Sequence, residues 1–339
     1  MTRGRRAAAR QRQRGVALII ALILVALATI LATKLTFDGW LERRRTMGVL
    51  AAEQALHFGL GAEALAADVL GQTPNTQVTL AQPWAQPTQP IPLTPENDSE
   101  GEPIGTLQGV LEDMQGRFNL NSLALTIGNG TAANTQGTPD PRPLAQFQRL
   151  LISVGMDGKW AGIARDWIDA DDSPGSPDGA EDSVYTSQTP PYRTGNYPMM
   201  SASELMNLPG FGADNYRKIA PYVTALPKDV PINLCTAPAL VLESLADNMS
   251  GEYSRSADLL TSERKKGCFP DANTFKKIVA GNDPKTAPNL TPRVINESST
   301  YFRLTTRVTL GTTEFTMYSL LWMGGGGKVT PLLRTFGTP

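Results

Sequence analysis

The segment DWIDADDSPGSPDGAEDSVY gathers Asp166, Asp169, Asp171, Asp172, Asp178, Glu181 and Asp182, seven acids within seventeen residues. No lysine or arginine falls between Arg165 and Arg193 to offset them. Trp160, Ile163, Ala164, Trp167 and Ile168 are spaced as one face of an amphipathic helix ending near Asp169. Carboxylates at a helix C-terminus are repelled by the macrodipole and by one another, so a cation is the natural compensation. Hard oxygen donors along a Pro/Gly-bent loop suit Ca²⁺, which takes six to eight oxygens in flexible geometry. An EF-hand register fails: counted from Asp169, position 6 is Pro174 rather than glycine and position 12 is Ala180 rather than glutamate. A solvated acidic loop is the plain alternative. A catalytic carboxylate pair is a third reading, although no substrate cleft is marked. His57 is the single histidine, which excludes a two-histidine zinc motif and leaves a Ser-His-Asp triad only that residue to run through.

A second motif is Leu208-Pro209-Gly210-Phe211-Gly212, preceded by Ser203-Glu204-Leu205 and followed by Tyr216-Arg217-Lys218-Ile219. It resembles the turn of helix-hairpin-helix modules, whose backbone amides can meet a nucleic-acid phosphate. Phe118-Asn119-Leu120-Asn121-Ser122-Leu123 is loosely echoed by Ile232-Asn233-Leu234-Cys235-Thr236-Ala237. A membrane-tethered DNA-uptake protein is therefore one alternative. Charge argues against it. Six of the 31 basic residues lie within the first fourteen positions, and the remaining 25 face 32 acids, a net of −7. Phosphate binding wants a basic stripe, and only Arg217 and Lys218 flank this hairpin. No nucleic-acid partner is expected; a packing role for the hairpin is.

The elements that position these residues begin with an anchor. Residues 16–33 read VALIIALILVALATILAT, eighteen uncharged residues, about the minimum for a bilayer-spanning helix. Residues 35–70 contain no proline, and Val49, Ala52, Leu56, Leu60, Ala64 and Ala67 recur at helical spacings, so one helix over 16–70 is predicted. The basic leader favours a cytoplasmic N-terminus, with Lys34, Arg43, Arg44 and Arg45 as counterweight. Cys235 and Cys268 are the only cysteines. In an exported chain a disulfide is the default expectation, with two buried free thiols as the alternative.

Gly15, preceded by a short basic leader and followed at once by the apolar helix, resembles the prepilin-peptidase signal of type IV pilins and type II secretion pseudopilins. The resemblance implies cleavage after Gly15 and methylation of the new N-terminal Val16. Position 5 of that mature chain is Ile20, where most of the family carries a glutamate that meets a neighbouring subunit's ammonium. A subunit at the fibre tip has no neighbour above it to neutralise. The missing glutamate and the long chain resemble the minor pseudopilin K family. That resemblance implies a calcium site in the acidic loop, with Asp169, Asp171, Asp172, Glu181 and Asp182 as ligands and Tyr185 in support. It also implies a non-enzymatic assembly role at the pseudopilus tip, in the bacterial inner membrane with the body in the periplasm. Its partners would be other minor pseudopilins, the prepilin peptidase and the inner-membrane secretion platform. An ordinary signal-anchored periplasmic protein and a calcium-dependent periplasmic enzyme are the rival readings.

The expected fold is α+β: a long N-terminal helix on an antiparallel sheet, with a large helical insertion of helix-hairpin-helix type. Residues 1–15 form the leader, 16–70 the assembly helix, 71–142 a linker and the first part of the sheet, 143–291 the insertion, and 292–339 the last strands and a tail. In the proline-rich stretch 71–103 only residues 77–80 read as a strand. Hairpins are expected around Met114-Gln115-Gly116 and around Gly311-Thr312. Helices are expected over 144–154, 159–168, 203–207, 213–222, 238–247, 256–264 and 272–278, and Gly324 to Gly327 reads as a solvated connector.

Overall fold

The structure is a computed structural model that describes residues 14–74, 76–94, 101–127, 138–245, 264, 267–269, 273–275 and 294–337. Helix α1 (Arg14–Gly71) runs 58 residues without a break, as a proline-free sequence allows, and extends about 87 Å at 1.5 Å per residue. From Val16 to Leu50 its residues are exposed except for a half-buried Leu41. In the second half the buried face is Ala55, Gly59, Ala62, Glu63, Ala66 and Leu70. The stripe expected from the larger apolar residues is rotated: Val49, Ala52 and Ala64 point to solvent, and Leu56, Leu60 and Ala67 are half-buried. Small residues win that face because the helix lies close on the sheet. A Cβ on Gly59 would sit 3.2 Å from the Met317 Cε.

The remaining elements are, in chain order, β1 (Ile91–Leu93), β2 (Gly105–Asp113), β3 (Phe118–Asn119), β4 (Thr126–Ile127), β5 (Thr138–Pro139), α2 (Pro141–Ser153), α3 (Trp160–Ile168), α4 (Asp182–Tyr185), α5 (Gly212–Ile219), β6 (Val223–Thr224), β7 (Ile232–Asn233), α6 (Ala239–Ser244), β8 (Ile295–Asn296), β9 (Tyr301–Leu310), β10 (Thr313–Met323) and β11 (Val329–Phe336). The main sheet has the order β1-β2-β9-β10-β11, antiparallel throughout. β9 shows the two-residue alternation of a half-buried strand, with Phe302, Leu304, Thr306, Val308 and Leu310 turned toward α1.

The hairpin around Gly311-Thr312 forms as expected, with Leu310 opposite Thr313. The one around Met114-Gln115-Gly116 does not. Asp113 caps a 3-10 turn over Met114–Gly116 by accepting from the Gln115 N–H at 2.9 Å, and the chain leaves the sheet. Phe118 and Asn119 then pair in parallel with Val223 and Thr224. Residues 77–80 form no strand, although Val78 is fully buried and its N–H donates to the Glu297 carbonyl. The edge strand is instead β1, where Pro92 is tolerated because an edge strand leaves one side unpaired. The glycine run is a connector with Gly325 and Gly326 exposed, as expected, but it turns tightly into β11 rather than leading to a tail. Gly326 and Gly327 have φ of +73° and +75°, and a Cβ on Gly327 would come within 2.7 Å of the Gly71 carbonyl oxygen.

The helical unit closes around one core that includes Phe147, Leu150, Trp160, Tyr185, Phe211 and Leu242. Phe118, Leu120 and Leu123, from the segment assigned to the sheet, also belong to that core. α2 begins where the Asp140 carboxylate accepts from the Arg142 N–H at 3.0 Å. The expected helix over 256–264 lies outside the described residues apart from Arg264, and of 272–278 only 273–275 are described, as helix.

Two buried side chains join the units. Asp113 accepts from Ser299 Oγ at 2.6 Å, Thr236 Oγ1 at 2.5 Å and Asn233 Nδ2 at 3.0 Å. Gln115 accepts from the Thr300 N–H at 2.6 Å and donates to the Pro231 carbonyl at 3.1 Å. The helical unit leaves the sheet at the Asp113–Phe302 end. There Leu70 of α1 packs with Phe302 and Met323, whereas Ala55 packs with Leu107, Val308 and Leu310 at the other end. The helical unit thus stands at the end of the sheet farthest from the apolar half of α1.

Candidate metal centre

Helix α3 places the first acids. Asp166 faces inward with Trp167 and is 1% exposed, while Asp169 takes an extended conformation that ends the helix, its N–H donating to the Arg165 carbonyl. The loop then folds back over Asp166, whose Oδ2 accepts from the Gly175 N–H at 2.8 Å. Close packing explains the glycines. A Cβ on Gly179 would lie 2.3 Å from Asp166 Oδ2, and one on Gly175 would lie 2.7 Å from Asp166 Oδ1. The return of the loop delivers Glu181, 3% exposed, at the start of α4.

Asp169, Asp171 and Glu181 each offer a carboxylate oxygen within 4.8 Å of the other two. Asp169 Oδ1, both Glu181 oxygens and Asp166 Oδ1 are buried and accept no hydrogen bond among the described residues. The Arg165 guanidinium lies 3.7 Å from Asp166 Oδ1. Burial, then repulsion from Asp166 and Asp171, pushes the Asp169 carboxyl up to about 7. Burial, then repulsion from Asp166, Asp169, Asp171 and Asp172, pushes Glu181 up to about 7. Unpartnered buried carboxylate oxygens are costly. These are hard donors converging on one point, and they fit a Ca²⁺-type ion.

The five residues read from the sequence separate into two groups. Asp169, Asp171 and Glu181 converge. Asp172 accepts from Asn196 Nδ2 at 2.9 Å, and Asp182 accepts from the Thr194 N–H at 3.1 Å and Thr194 Oγ1 at 2.9 Å, so both pin the neighbouring segment. Tyr185 is fully buried against Trp167 and Tyr192, its hydroxyl without a hydrogen-bond partner among the described residues. Asp166 lies behind Asp169, Asp171 and Glu181, a buried acid that the sequence reading leaves outside its ligand set. Its position one helical turn before Asp169, next to the core residue Trp167, was the available signal. Asn196 Oδ1, also buried without a partner and on a residue with φ of +42°, carried no sequence signal.

The Leu208-Pro209-Gly210-Phe211-Gly212 hairpin joins a 3-10 turn (Ala202–Asn207) to α5, with Gly210 and Gly212 at φ of +80° and +69°. Leu205, Leu208, Phe211 and Ile219 are buried, and Phe211 meets Trp160 edge-on at 5.1 Å. Of its two cations, Arg217 pairs with Asp214. The hairpin packs against the helical core. Cys235 and Cys268 are disulfide-bonded, with Cα atoms 4.4 Å apart. Val16 and Ile20 lie exposed in the first turns of α1.

A long helix, apolar along its first half and laid on an antiparallel sheet by its second, defines a type IV pilin-like protein, here enlarged by a helical unit. Residues 116–228 match the family model described as "Type II secretion system (T2SS), protein K". The type II secretion system protein K of Pseudomonas aeruginosa is 33% identical over 97% of this chain and 94% of its own length. That of Aeromonas hydrophila is 32% identical over 96% and 98%. A chain solved in the GspK-GspI-GspJ complex of the type 2 secretion system of enterotoxigenic Escherichia coli superposes with a TM-score of 0.70 at 28% identity, covering 87% of this chain and all of that one. The chain belongs to the protein K family of the type II secretion system, the minor pseudopilins, which are structural components of secretion.

Proposed function

We propose that this chain is the tip subunit of a type II secretion pseudopilus, initiating or capping the periplasmic fibre through which proteins are exported. The observation that supports this most directly is the placement of the helical unit at the end of the sheet opposite the apolar half of α1. A bulky unit there leaves no room for a further subunit to stack, while the side of α1 remains open for subunits below. Leu65 and Val69 stay exposed on its outer face. Ile20 in place of a carboxylate agrees with this position, since a buried ammonium above it would need a partner.

In this reading residues 16–33 hold the protein in the inner membrane with the body in the periplasm. The prepilin peptidase cuts after Gly15, Val16 becomes the methylated N-terminus, and the secretion platform receives the mature chain. Partners are other minor pseudopilins, by analogy with the solved GspK-GspI-GspJ complex. Calcium would be held by Asp169, Asp171 and Glu181 with Asp166 behind them, neutralising carboxylates that otherwise repel and locking the loop onto α3. No catalytic step is assigned.

The test is intact-mass and N-terminal peptide mass spectrometry on protein from its native membrane, with and without prepilin peptidase. A peptidase-dependent mature chain starting at Val16, co-purifying with other minor pseudopilins, is expected. An uncut chain, or a cut beyond Thr33, would overturn the assignment.

A further inference from the structure

A cleft of about 630 Å³ lies between the outer face of the main sheet and the helical unit. Its floor is one transverse row of the sheet: Glu112 on β2 pairs with Arg303 on β9, Arg303 with Leu320 on β10, and Leu320 with Leu333 on β11. Its roof is the segment around Ser201 and the stretch from Tyr216 to Ala225. The charged side chains lining it are Arg117, Arg303 and Glu112. Arg303 donates to Glu112 Oε2 through Nε at 3.1 Å and Nη2 at 2.7 Å, and Arg117 Nη2 donates to Glu112 Oε1 at 2.7 Å. Both guanidinium groups are mostly enclosed, with side chains 14% and 23% exposed for Arg117 and Arg303.

Two cations therefore share one anion in a partly desolvated cleft. Asp113 is close to Arg117, but its oxygens are taken up by Gln115, Thr236, Asn233 and Ser299, and it does not line the cleft. A guanidinium carries five N–H donors, more than the hydrogen bonds to Glu112 and the 3.4 Å contact of Arg117 with the Ala220 carbonyl use. Met114, Met200, Leu320, Leu333 and Phe336 are the larger aliphatic and phenyl side chains of the wall. Leu333 belongs to β11, the last strand in the sheet order, which among the described residues pairs with β10 alone.

We propose that this cleft is a docking site for an extended apolar peptide bearing a carboxylate, which joins Glu112 between Arg117 and Arg303. Charge complementarity selects the carboxylate and the methionine and leucine wall selects the apolar residues beside it. Arg303 is the positioning residue at the centre, since it touches both the floor row and the shared acid. The site is independent of the acidic loop and of the place of the subunit in a fibre.

The experiment is isothermal calorimetry on the full chain in detergent micelles, with heats into empty micelles subtracted. The probes are an acetylated Leu-Val-Phe-Leu peptide with a free C-terminal carboxylate, the same peptide amidated, and an amidated version carrying one glutamate. The free acid should bind at least tenfold more tightly than the amide, with the advantage shrinking in high salt. Binding of the glutamate peptide at the same strength would assign recognition to any carboxylate, and weaker binding would assign it to a chain terminus. Arg303→Gln should erase the difference between acid and amide, Arg303→Lys should keep part of it, and Leu320→Ser should weaken both peptides alike. Equal affinity for acid and amide in the wild-type chain, or no binding at millimolar peptide, would overturn the proposal whatever the variants do.

Discussion

Arg334 in β11 grips Glu63 of α1 with two parallel hydrogen bonds, Nε to Oε2 at 2.8 Å and Nη2 to Oε1 at 2.7 Å. Ser319 of β10 adds a third at 2.7 Å. The Glu63 side chain is 9% exposed and Arg334 41% exposed, so one partner is buried and the other reaches in from the edge. This contact ties α1 to the last strand.

Arg334→Ala should leave the Glu63 carboxylate buried with one hydroxyl partner. A loss of about 2 kcal/mol is expected, because breaking a buried pair costs more than its net worth. Replacing both residues by apolar ones of similar volume should cost less than the single change. Thermal unfolding of the purified chain and its two variants checks this; a double variant weaker than the single one would contradict it.

Asp169→Asn and Glu181→Gln should each weaken Ca²⁺ or Tb³⁺ binding by tenfold or more, since each removes a converging oxygen. Asp182→Asn should change it much less, because that carboxylate is engaged with Thr194. Titration by calorimetry or lanthanide luminescence separates the two groups. Equal effects at all three positions would return the loop to a diffuse acidic surface.

The same carboxylates give a pH signature. Asp169 and Glu181 sit near 7 in the cation-free fold, against about 4 in an unfolded chain. Between those values the folded state binds more protons than the unfolded one, so cation-free stability falls as pH rises from about 4 to 7. Calcium favours the ionised form and should restore that loss. The gain in Tm on adding calcium to chelator-treated protein should be larger at pH 8 than at pH 5, and equal gains would mean that these groups are not ligands.

Cys235 and Cys268 close a loop of 33 residues, for which the chain-entropy estimate is about 3–4 kcal/mol. Reduction, or Cys235→Ser, should lower stability by that order. Proteolysis near residue 268 under native conditions, compared with and without reductant, reads it directly.

Ile20→Glu tests the tip position. A tip subunit has no ammonium above it to meet, so the added carboxylate should leave recovery of partner pseudopilins unchanged or slightly reduced. A large improvement in assembly would place the subunit inside the fibre.

Much was legible along the chain because it depends on local order. The uncharged run 16–33, the absence of proline up to residue 70, the hairpin about Gly311-Thr312 and the acidic loop are all patterns between near neighbours. The protein K resemblance rested on Gly15, on Ile20 and on length, and relatives matching nearly the whole chain support it. What only the tertiary structure decided depends on approach and direction. The buried face of α1 follows alanine and glycine rather than the larger residues, since the sheet comes too close for them. Asp113 turns the chain out of the sheet because its carboxylate is needed by Ser299, Thr236 and Asn233, which come from segments 120 or more residues away. Which acids converge was settled by the loop folding over Asp166, a packing event that adjacent residues do not encode. The arginine cleft is likewise made of side chains from four strands and the helical unit, and no spacing in the sequence joins Arg117, Glu112 and Arg303.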